Sequence, residues 1–161
     1  MSKKFSGLKK LIFSYLAFQI LATPTLFAEG LNITSYWSGP FRSSYHFNRK
    51  EKVNEENGIW GVGFHPNNNW ELYWKRCINS HTRLTNWIGA KRNFYSSENF
   101  DLDFEIFMAD GYPQNDLKFA PGAAFVGKFK KGPWSFNLHY PPTLEERNQV
   151  LIWDFGYGSK F

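Results

Sequence analysis

Alternation of apolar and polar residues at period two is the feature that most restricts what this chain can fold into. In Phe100-Asp101-Leu102-Asp103-Phe104-Glu105-Ile106 one set of alternate residues is Phe, Leu, Phe and Ile, and the other is wholly acidic. A helix would scatter these side chains around its circumference, whereas a strand sends them to opposite faces of a sheet. The same alternation runs through Trp134-Ser135-Phe136-Asn137-Leu138-His139-Tyr140. It returns over 151–161, where Trp153, Phe155, Tyr157 and Phe161 share one face to the last residue.

Eight stretches are predicted as strands, over 34–47, 58–65, 69–78, 84–94, 99–108, 119–129, 133–140 and 150–161. Turn chemistry separates them: His65-Pro66-Asn67-Asn68-Asn69, Gly111-Tyr112-Pro113-Gln114-Asn115, Lys130-Lys131-Gly132-Pro133 and Pro141-Pro142-Thr143. The Lys- and Glu-rich stretch 48–57 is expected as a long external loop. No segment beyond the first 28 residues has a helical period. An even number of antiparallel strands that closes on itself has no unpaired edge, which is the condition for spanning lipid with strands.

Two barrels satisfy that pattern. A secreted lipocalin-like barrel would turn its large apolar residues inward around a ligand. A membrane barrel would turn them toward lipid and keep Asp101, Asp103, Glu105, Asn137 and Asp154 inside. The chain end favours the second, because its alternating aromatics resemble the closing strand that outer-membrane assembly machinery recognises. Composition agrees: 17 Phe, 8 Tyr and 7 Trp accompany a mean hydropathy of only −0.48. Many aromatics beside many polar residues suit aromatic girdles around a polar lumen.

Residues 1–28 read as a cleaved signal peptide. Lys3, Lys4, Lys9 and Lys10 precede an apolar run from Leu11 to Leu21, and Ala28 offers a small residue at the cleavage point. Ser14, Gln19 and Thr23-Pro24-Thr25 break that run too early for a membrane helix. Residues 29–161 then form one barrel domain. The four leader lysines account for most of the formal charge of +5: without them 15 Lys and Arg face 14 Asp and Glu. A nearly neutral folded part carries no nucleic-acid footprint. The single Cys77 cannot form an internal disulfide.

Several motifs resemble the PagP family of outer-membrane lipid A palmitoyltransferases. Ile59-Trp60-Gly61-Val62-Gly63-Phe64 resembles the family's Pro-Trp-Gly-Gly-Gly-Phe, and Arg49-Lys50-Glu51-Lys52 its preceding Lys-Glu-Lys loop. Leu72-Tyr73 reaches Asn79-Ser80 at the spacing by which the family's Leu-Tyr reaches its catalytic Asp-Ser. Glu98-Asn99-Phe100, Gly132-Pro133 with Phe136, and Tyr140 with Pro142-Thr143 then follow in the family's order, so that the resemblance covers 42–161.

That resemblance implies an eight-stranded antiparallel up-and-down transmembrane β-barrel in a bacterial outer membrane. The barrel would be a monomer moving a palmitoyl-like acyl chain from a glycerophospholipid to lipid A, with no metal or cofactor. Ser80 maps onto the family serine, Gly89 and Lys91 onto the floor of the acyl pocket, and Pro142 onto a point of lateral lipid access. Acyl transfer needs an activated hydroxyl, a base within reach and donors for the oxyanion.

The pattern departs from the family at four points. Asn79 stands in place of Asp, and an amide supplies no negative charge. The family histidine aligns with Arg42; His46, four residues on, shares its face at a distance of about 13 Å along a strand, and is the expected base. Lys91 replaces the glycine two positions after Gly89, where it should pair with Asp101, Asp103 or Glu105. The amphipathic helix ahead of the first strand is missing. His81, His139 and His65, the last in a turn, are secondary candidates whose simplest role is a hydrogen-bonded or solvated imidazole. The alternative functions are a catalytically inactive barrel of the same kind, with a structural or small-ligand-binding role, and the secreted lipocalin-like binding barrel.

Overall fold

The computed structural model describes residues 32–39, 42–47, 53–112, 119–142 and 149–160. The signal peptide, Phe161, Thr143, the Pro113-Gln114-Asn115 turn and residues 48–52 of the expected loop lie outside this range. Among the described residues nine strands follow in order: β1 (Asn32–Trp37), β2 (Ser44–His46), β3 (Trp60–Asn67), β4 (Trp70–Ile78), β5 (Leu84–Ser96), β6 (Phe100–Ala109), β7 (Ala120–Lys131), β8 (Trp134–Tyr140) and β9 (Val150–Lys160). Each pairs antiparallel with its neighbour, and β1 pairs with both β3 and β9, closing the sheet.

The barrel has eight staves because β1 and β2 are two parts of one. Both lie along β9, with Trp37 opposite Phe155 and Ser44 opposite Ile152. The expected continuous strand over 34–47 is therefore broken. The ladder along β9 stops at Trp37 opposite Phe155 and resumes where the Ser43 carbonyl accepts the Trp153 N–H at 2.9 Å. Residues 53–59 return beside this break: Ser38 N–H donates to the Ile59 carbonyl at 2.8 Å and Ser43 N–H to that of Glu55 at 2.8 Å.

The first expected turn also shortens. β3 runs on through His65, Pro66 and Asn67, leaving only Asn68-Asn69 to turn the chain. The ladder shifts between Phe64 and Asn67, a bulge that accommodates Pro66 without an N–H. His65 is thus a strand residue rather than a turn residue.

The two ends of the barrel differ. At one end β3–β4, β5–β6 and β7–β8 are joined by two or three residues; at the other, the connections over 79–83, 110–119 and 141–149 are longer. Short turns at one rim and longer loops at the other are the usual asymmetry of outer-membrane barrels.

Facing follows the alternation. Val62, Leu72, Ile88, Leu102, Phe125 and Phe155 are exposed on the outside, while Glu71, Lys75, Lys91, Glu105, Asn137 and Asp154 are buried within. Aromatic residues gather toward both rims, with Trp60 edge-on to Trp74 near the longer loops and Trp134 edge-on to Tyr157 near the short turns. Arg92, one of the few outward cations, lies over Trp70 and Phe94. An apolar exterior around a charged interior is an inversion of a soluble protein and the signature of a barrel solvated by lipid.

Candidate functional site

The lumen is filled in two layers. Toward the short turns and the middle lies a network of paired charges. Lys75 binds Asp154, whose other oxygen accepts the Asn137 amide at 2.7 Å. His139 bridges two carboxylates of this layer, with Nδ1 2.8 Å from Glu105 and Nε2 3.3 Å from Asp154. Lys91 Nζ is 3.1 Å from Glu71 and donates to the Tyr36 hydroxyl at 3.0 Å, while that hydroxyl donates to Glu71. The ammonium groups of Lys75 and Lys91 lie 4.0 and 4.8 Å from the Tyr36 ring centre. Lys75, Asp154, Lys91 and Glu71 each have an opposite charge beside them, the condition under which burial is tolerated.

Lys91 pairs with Glu71 and not with the expected Asp101, Asp103 or Glu105. Glu105 does stand across the ladder from Lys91, yet His139 occupies it; Glu71, across the other ladder, takes the lysine. Asp101 pairs with Lys130 at 2.5 Å and Asp103 accepts the Asn93 amide at 2.7 Å. The glycine-rich motif on β3 explains how these groups fit. Gly61 and Gly63 face inward, and a Cβ on either would strike Lys75 or the Glu71 carboxylate.

Toward the longer loops the lumen holds an apolar cluster, with Ile59, Cys77, Trp87 and Ala109 buried and Phe107 stacked on Trp87 at 5.4 Å, beside the buried polar Ser44, Asn57 and Thr85. Above them opens a small cavity of about 60 Å³, whose lining includes His46, Asn79 and Ser80. Ile59, Trp87 and Ile152 contribute its apolar wall, and Cys77 and Tyr112 also reach it. Tyr112 sits in the β6–β7 connection, where burial pushes its phenol up to about 12, so it is a neutral hydrogen-bonding group at ordinary pH. The structure thus brings the three expected catalytic residues, from two distant stretches of sequence, to one cavity.

Their roles in the local fold differ. Ser80 is half-buried at the start of the β4–β5 turn, and its carbonyl accepts the Asn54 N–H at 3.0 Å. Asn79 is fully engaged: Oδ1 accepts the N–H groups of His81 and Arg83 at 2.9 and 3.0 Å, and Nδ2 donates to Thr85 Oγ1 at 2.8 Å and to the Gly111 carbonyl at 3.0 Å. Gly111 has φ +78°, and a Cβ there would press on the Leu84 carbonyl at 2.7 Å. His46 ends β2, its main-chain N–H donating to Glu55 Oε1 at 3.1 Å and its Nδ1 3.6 Å from the same oxygen. Arg42, aligned with the family histidine, holds the other Glu55 oxygen at 2.6 Å.

The remaining candidates are spread apart. Gly89 and Lys91 face the lumen on β5, where the Tyr73 hydroxyl lies 2.7 Å from the place of a Gly89 Cβ. His81 is exposed and edge-on to Tyr112, and His65 shares a hydrogen bond with Thr34 at 2.8 Å. Pro142 is exposed just beyond β8. There the β7–β8 ladder ends at Phe125 opposite Tyr140, so residues 120–124 of β7 pair only with β6 among the described residues. Pro141 and Pro142 have no N–H with which to continue it.

Sequence reading missed Glu71, Lys75 and Glu55. For the first two a signal existed, since Glu71, Tyr73, Lys75 and Cys77 alternate with Leu72, Trp74 and Arg76. Glu55 had none, because only the break in the first stave sets it beside His46.

The chain matches no protein-family model and no curated protein. It is similar in structure to a de novo designed transmembrane β-barrel, with a TM-score of 0.56 at 8% identity over 81% of this chain and 96% of that one. A second designed barrel, TMB2.3, solved in solution by NMR, gives the same TM-score and identity over 81% of this chain and 94% of its own. With these likenesses the architecture stands as that of a transmembrane β-barrel.

Proposed function

We propose that this barrel resides in a bacterial outer membrane and transfers an acyl chain from a glycerophospholipid to lipid A, as the PagP family does. The convergence of Ser80, His46 and Asn79 on one cavity at the longer-loop rim is the observation that carries the reading. A reaction between a phospholipid and a lipid acceptor requires a site at the level of one leaflet, reached from the side. The early end of the β7–β8 ladder beside Pro141-Pro142 supplies such an approach. Ile59, Trp87 and Ile152 suit the first methylenes of an acyl chain, and the Lys75–Asp154 and Lys91–Glu71 pairs beneath would end it. Chain choice on this view favours acyl groups shorter than palmitoyl.

The filled lumen favours a second reading, an inactive barrel whose interior serves stability alone. One measurement separates them: lipid A mass in an outer membrane with and without the expressed chain, beside Ser80→Ala at equal abundance. Acylated lipid A with the wild type and none with Ser80→Ala is the expected result. An unchanged lipid A mass with the wild type would assign the barrel to the second reading.

A further inference from the structure

Asn79 cannot do the work of the carboxylate it replaces, for its amide is consumed by the turn it closes. A carboxylate is nonetheless present beside the expected base. We infer that Glu55 is the positioning residue for His46, taking the part an aspartate before the serine would otherwise play; this rests on the acyl-transfer reading above.

Glu55 is fixed from both of its ends. Its main-chain carbonyl accepts the N–H groups of Ser43 and Ser44 at 2.8 and 3.3 Å, tying it to the start of β2. Its side chain is 11% exposed, with Oε2 held by Arg42 at 2.6 Å and Oε1 turned to His46. The Arg42 guanidinium is itself braced, through Nε to the Ser44 carbonyl at 3.3 Å and against the Tyr45 ring at 4.9 Å. A carboxylate held through Oε2 by Arg42 and through Oε1 by the His46 main-chain N–H does not swing away when the imidazole changes charge.

Its effect is on which imidazole nitrogen carries the proton. A negative oxygen 3.6 Å from Nδ1 favours the proton there by its charge and leaves Nε2 as the basic nitrogen. In the transfer, Nε2 takes the proton of the attacking hydroxyl as its oxygen bonds the ester carbon. It returns that proton to the glycerol oxygen as the original ester C–O bond breaks. Glu55 stays ionised throughout and offsets the transient imidazolium charge. The other titratable groups at this cavity are Cys77 and Tyr112 across it, with Arg42 behind Glu55; β9 presents only Val150 and Ile152.

The test uses the full chain in an outer membrane and, in parallel, folded in detergent micelles. Glu55→Gln keeps the shape and an acceptor for the His46 N–H but removes the charge. Acylation should fall about tenfold or more, with partial recovery in Glu55→Asp. Wild-type acylation by Glu55→Gln, with Ser80→Ala inactive, would overturn the role of Glu55 and leave the acyl-transfer reading standing. The second readout needs no turnover: modification of the His46 peptide by diethyl pyrocarbonate, followed against pH by mass spectrometry. The midpoint for His46 should move to lower pH by about one unit in Glu55→Gln, and stay in place in Ser80→Ala and Glu55→Asp. An unmoved midpoint in a folded Glu55→Gln barrel would overturn the inference even if no variant acylates lipid A.

Discussion

Lys91 shows how a single side chain can decide what a lumen holds. It is 2% exposed and lies between Glu71 and Glu105 on adjoining staves, bonded to the first and to Tyr36. Lys91→Met would leave Glu71 buried beside Tyr36, with His65 at 3.7 Å and Lys128 lining the same cavity, and should cost about 3–5 kcal/mol. Adding Glu71→Gln removes the stranded charge and should restore most of that loss. Denaturation followed by gel mobility checks this, and equal stability of Lys91→Met and wild type would mean that water solvates these groups. Asn79→Asp is a second residue-scale case. The family pattern suggests a gain in activity, but the bonds to Thr85 and Gly111 predict otherwise. A carboxylate there loses both donors and faces the Gly111 carbonyl, which should cost about 1–3 kcal/mol and bring no increase in lipid A acylation.

At the scale of elements, β6 carries the plainest statement of the fold. Phe104 points outward between Phe94 and Phe125, at ring distances of 6.3 and 5.5 Å, while Asp103 and Glu105 beside it point inward. Phe104→Arg would set a cation at mid-strand against lipid and should lower stability by about 2–4 kcal/mol in a bilayer. Asp103→Asn, on the inner face and keeping an acceptor for Asn93, should cost less, and urea titration in vesicles would compare the two. This part of the fold was legible because facing is a local property: each residue's side follows from that of its neighbour. The break between β1 and β2 was not. Gly39-Pro40 is a local turn signal inside the expected strand, but where the ladder stops and resumes depends on β9, over a hundred residues away, and on the returning segment 53–59. The same break hid Glu55, whereas Ser80 and His46, which line one cavity, were named from their motif and strand facing.

For the molecule as a whole, the outer surface and the lumen together determine which solvent can support it. In water the barrel would expose Trp60, Val62, Leu72, Ile88, Leu102, Phe125 and Trp134 on one continuous exterior. A monomeric soluble protein rarely tolerates an apolar surface of that extent. Nor can the barrel turn inside out, since the lumen already holds the Lys75–Asp154, Lys91–Glu71 and His139–Glu105 pairs, which need one another to remain buried. The strands suit a bilayer: a tilted membrane strand needs ~9–11 residues, and β4, β5, β6, β7 and β9 have 9 to 13. Denatured chain diluted from urea into detergent micelles or lipid vesicles should therefore fold, and unboiled samples should migrate differently from boiled ones on a gel. Diluted into plain buffer it should aggregate and show a single boiled-like band. A folded, monodisperse protein in buffer alone would show that the exterior is compatible with water, and would replace the membrane barrel with a secreted one.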